Sequence, residues 1–177
     1  MKKYEFTGET KEIRLLFRTA TLHRIRATVA FGIVEVGDLG GWIEKEENLS
    51  HEGKAWVCGN AEVWGNAKVC GNAKVWGNAE VCGDAEVCGN AEVFSASHVL
   101  VIGAIGSRND FTTFYRDKDN EITVKCGCFL GKIDRFLEKV TQTHGDSKYA
   151  LVYRAAVEVA KLQIDLSGEA PKDADEE

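Results

Sequence analysis

The 177-residue chain has a single proline, no CxxC pair among its six cysteines and no apolar run long enough to cross a bilayer. Each shortage excludes something. The one proline lies in "SGEAPKDADEE", a polar, acidic stretch, so residues 166–177 are expected to be a disordered tail. Without CxxC spacing the common zinc frameworks are missing, and neither metal nor cofactor is expected. Without a long apolar run there is no helical membrane span. The lysines of "MKKYEFTGETKEIR" have no apolar segment behind them, so no secretory signal is expected. These features together predict a cytoplasmic protein with reduced cysteines. Positive charge is also short: 22 Lys and Arg against 28 Asp and Glu leave a net charge of -6, which argues against duplex nucleic acid as a partner.

What the chain has instead is repetition. In "VCGNAEVWGNAKVCGNAKVWGNAEVCGDAEVCGNAEV", valine recurs every six residues from Val57 to Val93, followed by Cys or Trp, Gly, Asn (once Asp), Ala, and Glu or Lys. Period six fits neither a helix nor a plain alternating strand. It suits a short triangular parallel β-helix, with one strand and one corner per hexapeptide and three hexapeptides per coil, about three coils in all. Ala and Val, two apart, share the inward face. Gly-Asn makes the corner, where a positive φ is tolerated. A step of eighteen residues then stacks Lys68 on Glu86, Lys74 on Glu92, Cys70 on Cys88, and Trp76 between Cys58 and Phe94. Leu49 and Ala55 are read as keeping the alanine register in degenerate units before the perfect ones, and Gly41 and Gly53 the glycine register.

Composition divides the chain into an N-terminal β cap (1–40), the hexapeptide-repeat β-helix (41–98), a C-terminal α+β domain (99–165) and the tail (166–177). In the cap, "KYEFTGET" and "LHRIRATVAF" read as strands and "VGDLGGW" as a glycine-rich turn. The C-terminal domain reads β-β-β-α-α: the strand "SHVLVIGAIG", a hairpin turning at "DKDN", and two helices separated at Gly145. The first helix carries Ile133, Phe136, Leu137 and Val140 on one face; the second is apolar enough to be mostly buried.

"LHRIRATVAFGIVEVGDLGGWIEKEENLSHEG", followed by the G-N-A-x-V-x repeats, resembles phage- and prophage-encoded hexapeptide-repeat proteins. "GSRNDFTTFY…CGCFLGKIDRFLEKV" is similar to the domain that often follows such repeats. The resemblance implies left-handed winding, a phage setting inside a bacterial host cell, and no established enzyme activity.

Many left-handed hexapeptide proteins are acyltransferases, but here the corners from 57 to 93 are uninterrupted Gly-Asn or Gly-Asp with no loop to build a site. His51 and His98 fall at the two ends of the repeat, and no catalytic residue is assigned. The cysteines read as packing residues, and "DKDNE" as a hairpin turn lacking the glycine of a calcium loop. The segment around the strand end is the candidate ligand site: Gly106, Ser107, Arg108, Asn109, Thr112, Thr113, Tyr115 and Arg116 offer N–H groups, hydroxyls, guanidinium groups and an aromatic face for a small anionic, nucleotide-like molecule. Trp64, Trp76 and Phe94, projecting from the repeat, are the candidate interface of a dimer or trimer. The expected function is non-catalytic: the repeat serves as an assembly scaffold, and the C-terminal domain binds the ligand, sequestering a host defence signal. A structural or partner-binding scaffold without small ligand, and a hexapeptide acyltransferase, are the alternatives.

Overall fold

A computed structural model describes residues 2–169. The acidic tail expected from 166 onward therefore lies, from residue 170, outside the described residues. The chain runs β1 (Tyr4–Arg14), β2 (Thr19–Ala27), β3 (Leu39–Ile43), then seven two-residue strands: β4 (Trp56–Val57), β5 (Glu62–Val63), β6 (Lys68–Val69), β7 (Lys74–Val75), β8 (Glu80–Val81), β9 (Glu86–Val87) and β10 (Glu92–Val93). The C-terminal part is β11 (Val99–Ile105), β12 (Asp110–Arg116), β13 (Ile122–Cys126), β14 (Phe129–Lys132), α1 (Ile133–His144) and α2 (Lys148–Gln163).

The expected left-handed parallel β-helix is corrected. The strands fall into four separate sheets, ordered β1-β2-β3-β5-β8, β10-β7-β4, β6-β9 and β11-β12-β13-β14. Among the described residues none is closed or forms a solenoid sheet, and left-handed winding is not shown. The protein is mainly β, with parallel, mixed and antiparallel sheets. The reason is local: only the Glu/Lys-Val pair of each hexapeptide is extended, and the turn between successive pairs interrupts the ladder. The N-terminal segment shares a sheet with the repeat: β1 and β2 run antiparallel and continue through β3 into the parallel pairs β3–β5 and β5–β8. Of the glycines of "VGDLGGW", Gly37 forms the expected turn, with a φ of 96°, and the other two do not. Gly40 lies inside β3, where a Cβ would sit 2.4 Å from Ile25.

Within the repeat the parallel pairs join residues eighteen apart, as in Trp56↔Lys74 and Glu62↔Glu80. The alternation predicts the interior: Ala61 to Ala91 and Val57 to Val93, at every sixth residue, are at most 1% exposed. Lys68–Glu86 and Lys74–Glu92 pair at 4.0 Å on the outer surface. At the corners Asn66 donates to Asp84 at 3.1 Å and Asn72 to Asn90 at 3.3 Å. Gly71 shows why the corner is glycine: its φ is 71°, and a Cβ would lie 2.9 Å from the Gly89 nitrogen.

Two expectations about the repeat fail. Leu49 pairs with Val69 and Ile43 with Val63, so the step before the perfect repeats is twenty residues. Leu49 thus takes the place of a valine, and Gly41 stands where the repeat has alanine. The cysteines are not all reduced: Cys70 and Cys88 form a disulfide, their Cα atoms 4.6 Å apart. Stacking puts Cys over Cys in that column, whereas Cys82 stacks on Trp64 and Cys58 on Trp76.

The C-terminal domain has four strands before its helices, one more than expected, because the glycine turn at Gly127 folds "FLGK" back as β14. Phe136 and Val140 of α1 are buried against Phe114, Val124 and the inner side of α2. Among the described residues no helix is long and apolar enough to cross a membrane.

The burial pattern predicts unequal tolerance. Val75→Asp places a charge in the fully buried interior and should cost at least about 3 kcal/mol. Glu80→Lys, on the exposed surface opposite Glu62, should change stability by no more than about 0.5 kcal/mol. Urea unfolding of both variants checks this, and equal losses would overturn the inside–outside assignment.

Candidate functional site

β12 alternates between two environments, and the alternation decides what its side chains do. Thr113, Tyr115 and Asp117 turn toward the last repeat, while Thr112 and Phe114 turn toward the sheet and helices of the C-terminal domain. In the stack, each strand donates N–H groups to the strand stacked on it, three hexapeptides further on: Lys68 to Ala85, Cys70 to Val87, Lys74 to Ala91. Glu86 and Cys88 have no hexapeptide at that step to donate to. The Thr113 hydroxyl accepts from the Glu86 N–H at 3.0 Å. The Tyr115 hydroxyl accepts from the Cys88 N–H at 3.4 Å and donates to the Cys88 carbonyl at 2.9 Å. Beside them Ala91 pairs with Asp117, and the Lys118 N–H donates to Asn90 at 3.0 Å. Tyr115 is fully buried, which raises its pKa.

The eight residues nominated for a ligand are therefore divided. Thr112, Thr113, Tyr115 and Arg116 are buried and engaged within the chain. Thr112 donates to the Cys126 sulfur at 3.3 Å. Arg116 binds Asn120, donates to the Gly168 carbonyl at 2.8 Å, and stacks on Phe94 at 4.6 Å. Gly106 packs so closely on Tyr153 that a Cβ would sit 1.9 Å from its hydroxyl. Ser107, Arg108 and Asn109 form an exposed turn, in which Asn109 has a φ of 52°. Of the interface candidates, Trp76 stacks on Phe94 at 5.3 Å, and Phe94 is further covered by His98 and Arg116. Trp64 is half-buried.

A cleft of about 540 Å³ opens where the repeat meets the C-terminal domain. Lys45, Asn66, Lys68, Asp84 and Glu86 line its repeat side; Asp110, Phe111, Thr113, Lys125 and Gly127 line the other. Glu86 pairs with Lys125 at 3.2 Å and with Lys68 at 4.0 Å, while Lys45 donates to Asn66 at 3.4 Å. Phe111, 39% exposed, is seated on Gly103, where a Cβ would meet its ring at 2.4 Å. Arg108 lies at the rim, its guanidinium 3.0 Å from where a Cβ on Gly127 would stand. Of the nominated set the structure places Thr113 in the cleft's wall and the Arg108 guanidinium beside its Gly127. The sequence reading missed Lys45, Lys68, Asp84, Glu86, Phe111 and Lys125. One signal was present: Asp84, the single aspartate among the Gly-Asn corners, lines this cleft.

Other titratable groups are held by their surroundings. In the "DKDNE" turn, Lys132 is shared by Asp117, Asp119 and Glu121. Burial alone raises the Asp117 carboxyl, but Lys132, Thr123 and the N–H groups of Asp119 and Glu121 hold it below the ordinary range. The turn thus carries an internal ammonium among its carboxylates. His51 accepts from the Lys3 N–H at 3.1 Å and stacks on Tyr4; His98 accepts from the Phe94 N–H at 3.3 Å. Burial lowers the pKa of both. The chain matches no protein-family model and no curated protein.

Tyr115→Phe removes one hydroxyl and leaves both the N–H and the carbonyl of Cys88 buried without that partner. The expected cost is about 1–3 kcal/mol, read as a lower urea midpoint at unchanged slope. An unchanged midpoint would show that Tyr115 does not close the stack.

Proposed function

We propose that the protein is a non-catalytic binding scaffold whose ligand site is the cleft between the repeat and the C-terminal domain. The observation that carries this reading is Phe111, a partly exposed ring held over a cleft of about 540 Å³ with lysines on both walls. A volume of this order accommodates a small ligand, with the ring as a stacking surface and the polar groups fixing orientation. The cations define the charge. Three lysines line the cleft (Lys45, Lys68 and Lys125) against four carboxylates (Glu47, Asp84, Glu86 and Asp110), and the Arg108 guanidinium beside Gly127 brings the two signs level. That balance matches a single phosphate or phosphodiester better than a polyphosphate. Asp84 and Asp110 supply acceptors for sugar hydroxyls or base amino groups. The reading is therefore a mononucleotide or cyclic nucleotide, bound and not turned over. In the phage setting that the repeat's resemblance implies, such binding would keep a host signal from its receptor.

Against an acyltransferase, the two histidines at the repeat's ends are engaged with backbone N–H groups, and the cleft carries none. A scaffold without small ligand is supported by a different observation, the exposed apolar surface on α2.

Thermal-shift and calorimetric titrations with nucleoside monophosphates and cyclic di- and trinucleotides test the proposal. At least one should stabilise the wild type, and Phe111→Ala should weaken its binding at least tenfold without altering the circular dichroism spectrum. Failure of all of them at millimolar concentration would remove the ligand reading and leave the scaffold alone.

A further inference from the structure

α2 is apolar on two opposite sides. Ala150, Tyr153, Val157 and Ala160 face inward and are buried in the C-terminal core. On the outer side Leu151, Val152, Val159 and Leu162 are 59%, 39%, 48% and 89% exposed. A surface helix ordinarily keeps polar residues on its outer face. Here the apolar content that suggested burial in the sequence is only half satisfied by the chain itself. Val152, Ala155, Val159 and Leu162 follow one another at intervals of three, four and three residues, the spacing of a helix-pairing seam. They and Leu151 leave on the order of 400 Å² of contiguous apolar surface, as much as the largest patch of a typical monomer.

We infer that this face pairs with the same face of a second copy of the chain, α2 against α2, antiparallel about a twofold axis. The occupant follows from the seam's own order. Reversed against itself, it sets Val152 opposite Leu162 and Ala155 opposite Val159. Every layer then joins a larger side chain to a smaller one, and each residue meets the partner that meets it, the pattern of an isologous contact. Charge agrees. In this register Glu158 lies two residues, or about 3 Å along the axis, from the level of Arg154 in the second copy. Within one copy Glu158 pairs with Lys161 at 2.9 Å and Arg154 with Asp146 at 3.6 Å, exposed surface pairs that can exchange for a Glu158–Arg154 pair across the seam. The repeat does not compete for this role on the same terms, because Trp76 and Phe94 already cover one another.

Burial of about 800 Å² of apolar surface in total is below the area of standard specific interfaces, so a weak, transient dimer is expected. The contact is independent of the ligand reading. Sedimentation velocity from 5 to about 500 µM should show a reversible monomer–dimer equilibrium. Val159→Glu should leave a monomer throughout that range with an unchanged melting temperature at low concentration. Glu158→Arg and Arg154→Glu should each weaken the dimer at least fivefold, and the double exchange should restore it. A wild-type monomer at 500 µM overturns the inference. So does a dimer that survives Val159→Glu, or one that is lost on Trp64→Ser instead.

Discussion

A parallel stack of strands ends in backbone N–H and C=O groups that no further strand meets, and neither can be left buried and unpaired. In this protein that constraint organises both ends of the chain. The last strands of the repeat present the N–H groups of Glu86 and Cys88 and the carbonyls of Cys88 and Asn90 to the C-terminal domain, and its first strands present carbonyls to the N-terminal segment. At that first end stand donors. Lys3 gives its ammonium to Ala55 at 2.7 Å, Tyr4 its hydroxyl to Leu49 at 2.9 Å, and Asn48 its amide to Ala67 at 2.8 Å. At the last end the Thr113 and Tyr115 hydroxyls accept from Glu86 and Cys88, while the Tyr115 hydroxyl and the Lys118 N–H donate to the carbonyls of Cys88 and Asn90. Burial of the Lys3 ammonium lowers its pKa to about 8.

Much of the repeat was legible because its causes are local. Period two inside each hexapeptide fixed Ala and Val as interior, and the step of eighteen placed Lys68 by Glu86, Asn66 by Asp84 and Cys70 by Cys88. The sheet arrangement was not legible. Two-residue strands cannot reveal which longer segments will join them, and β1–β2 joined through β3. Nor could spacing show the slip to twenty residues at Leu49, since a leucine fits an alanine or a valine register equally well in sequence.

The site was misjudged for one physical reason. Hydroxyls and aromatics after a strand end look alike whether they serve a ligand or a chain end that needs partners. "TTFYR" turned out to meet the chain's own last repeat on one face and its own helical core on the other. What it left for a ligand is its edge: Asp110, Phe111 and the neighbouring Arg108. The rest of the cleft comes from residues far apart in sequence, such as Lys45 and Lys125, which only the docking of the C-terminal domain onto the repeat brings together.

That docking is the central claim, and amide hydrogen exchange of Glu86 and Cys88 tests it most directly. Their counterparts eighteen residues earlier, Lys68 and Cys70, donate to main-chain carbonyls inside the stack. If Thr113 and Tyr115 complete the ladder, Glu86 and Cys88 should be protected to within about tenfold of Lys68 and Cys70. Exchange of Glu86 and Cys88 at the rate of an exposed loop, with Lys68 and Cys70 still protected, would contradict the account.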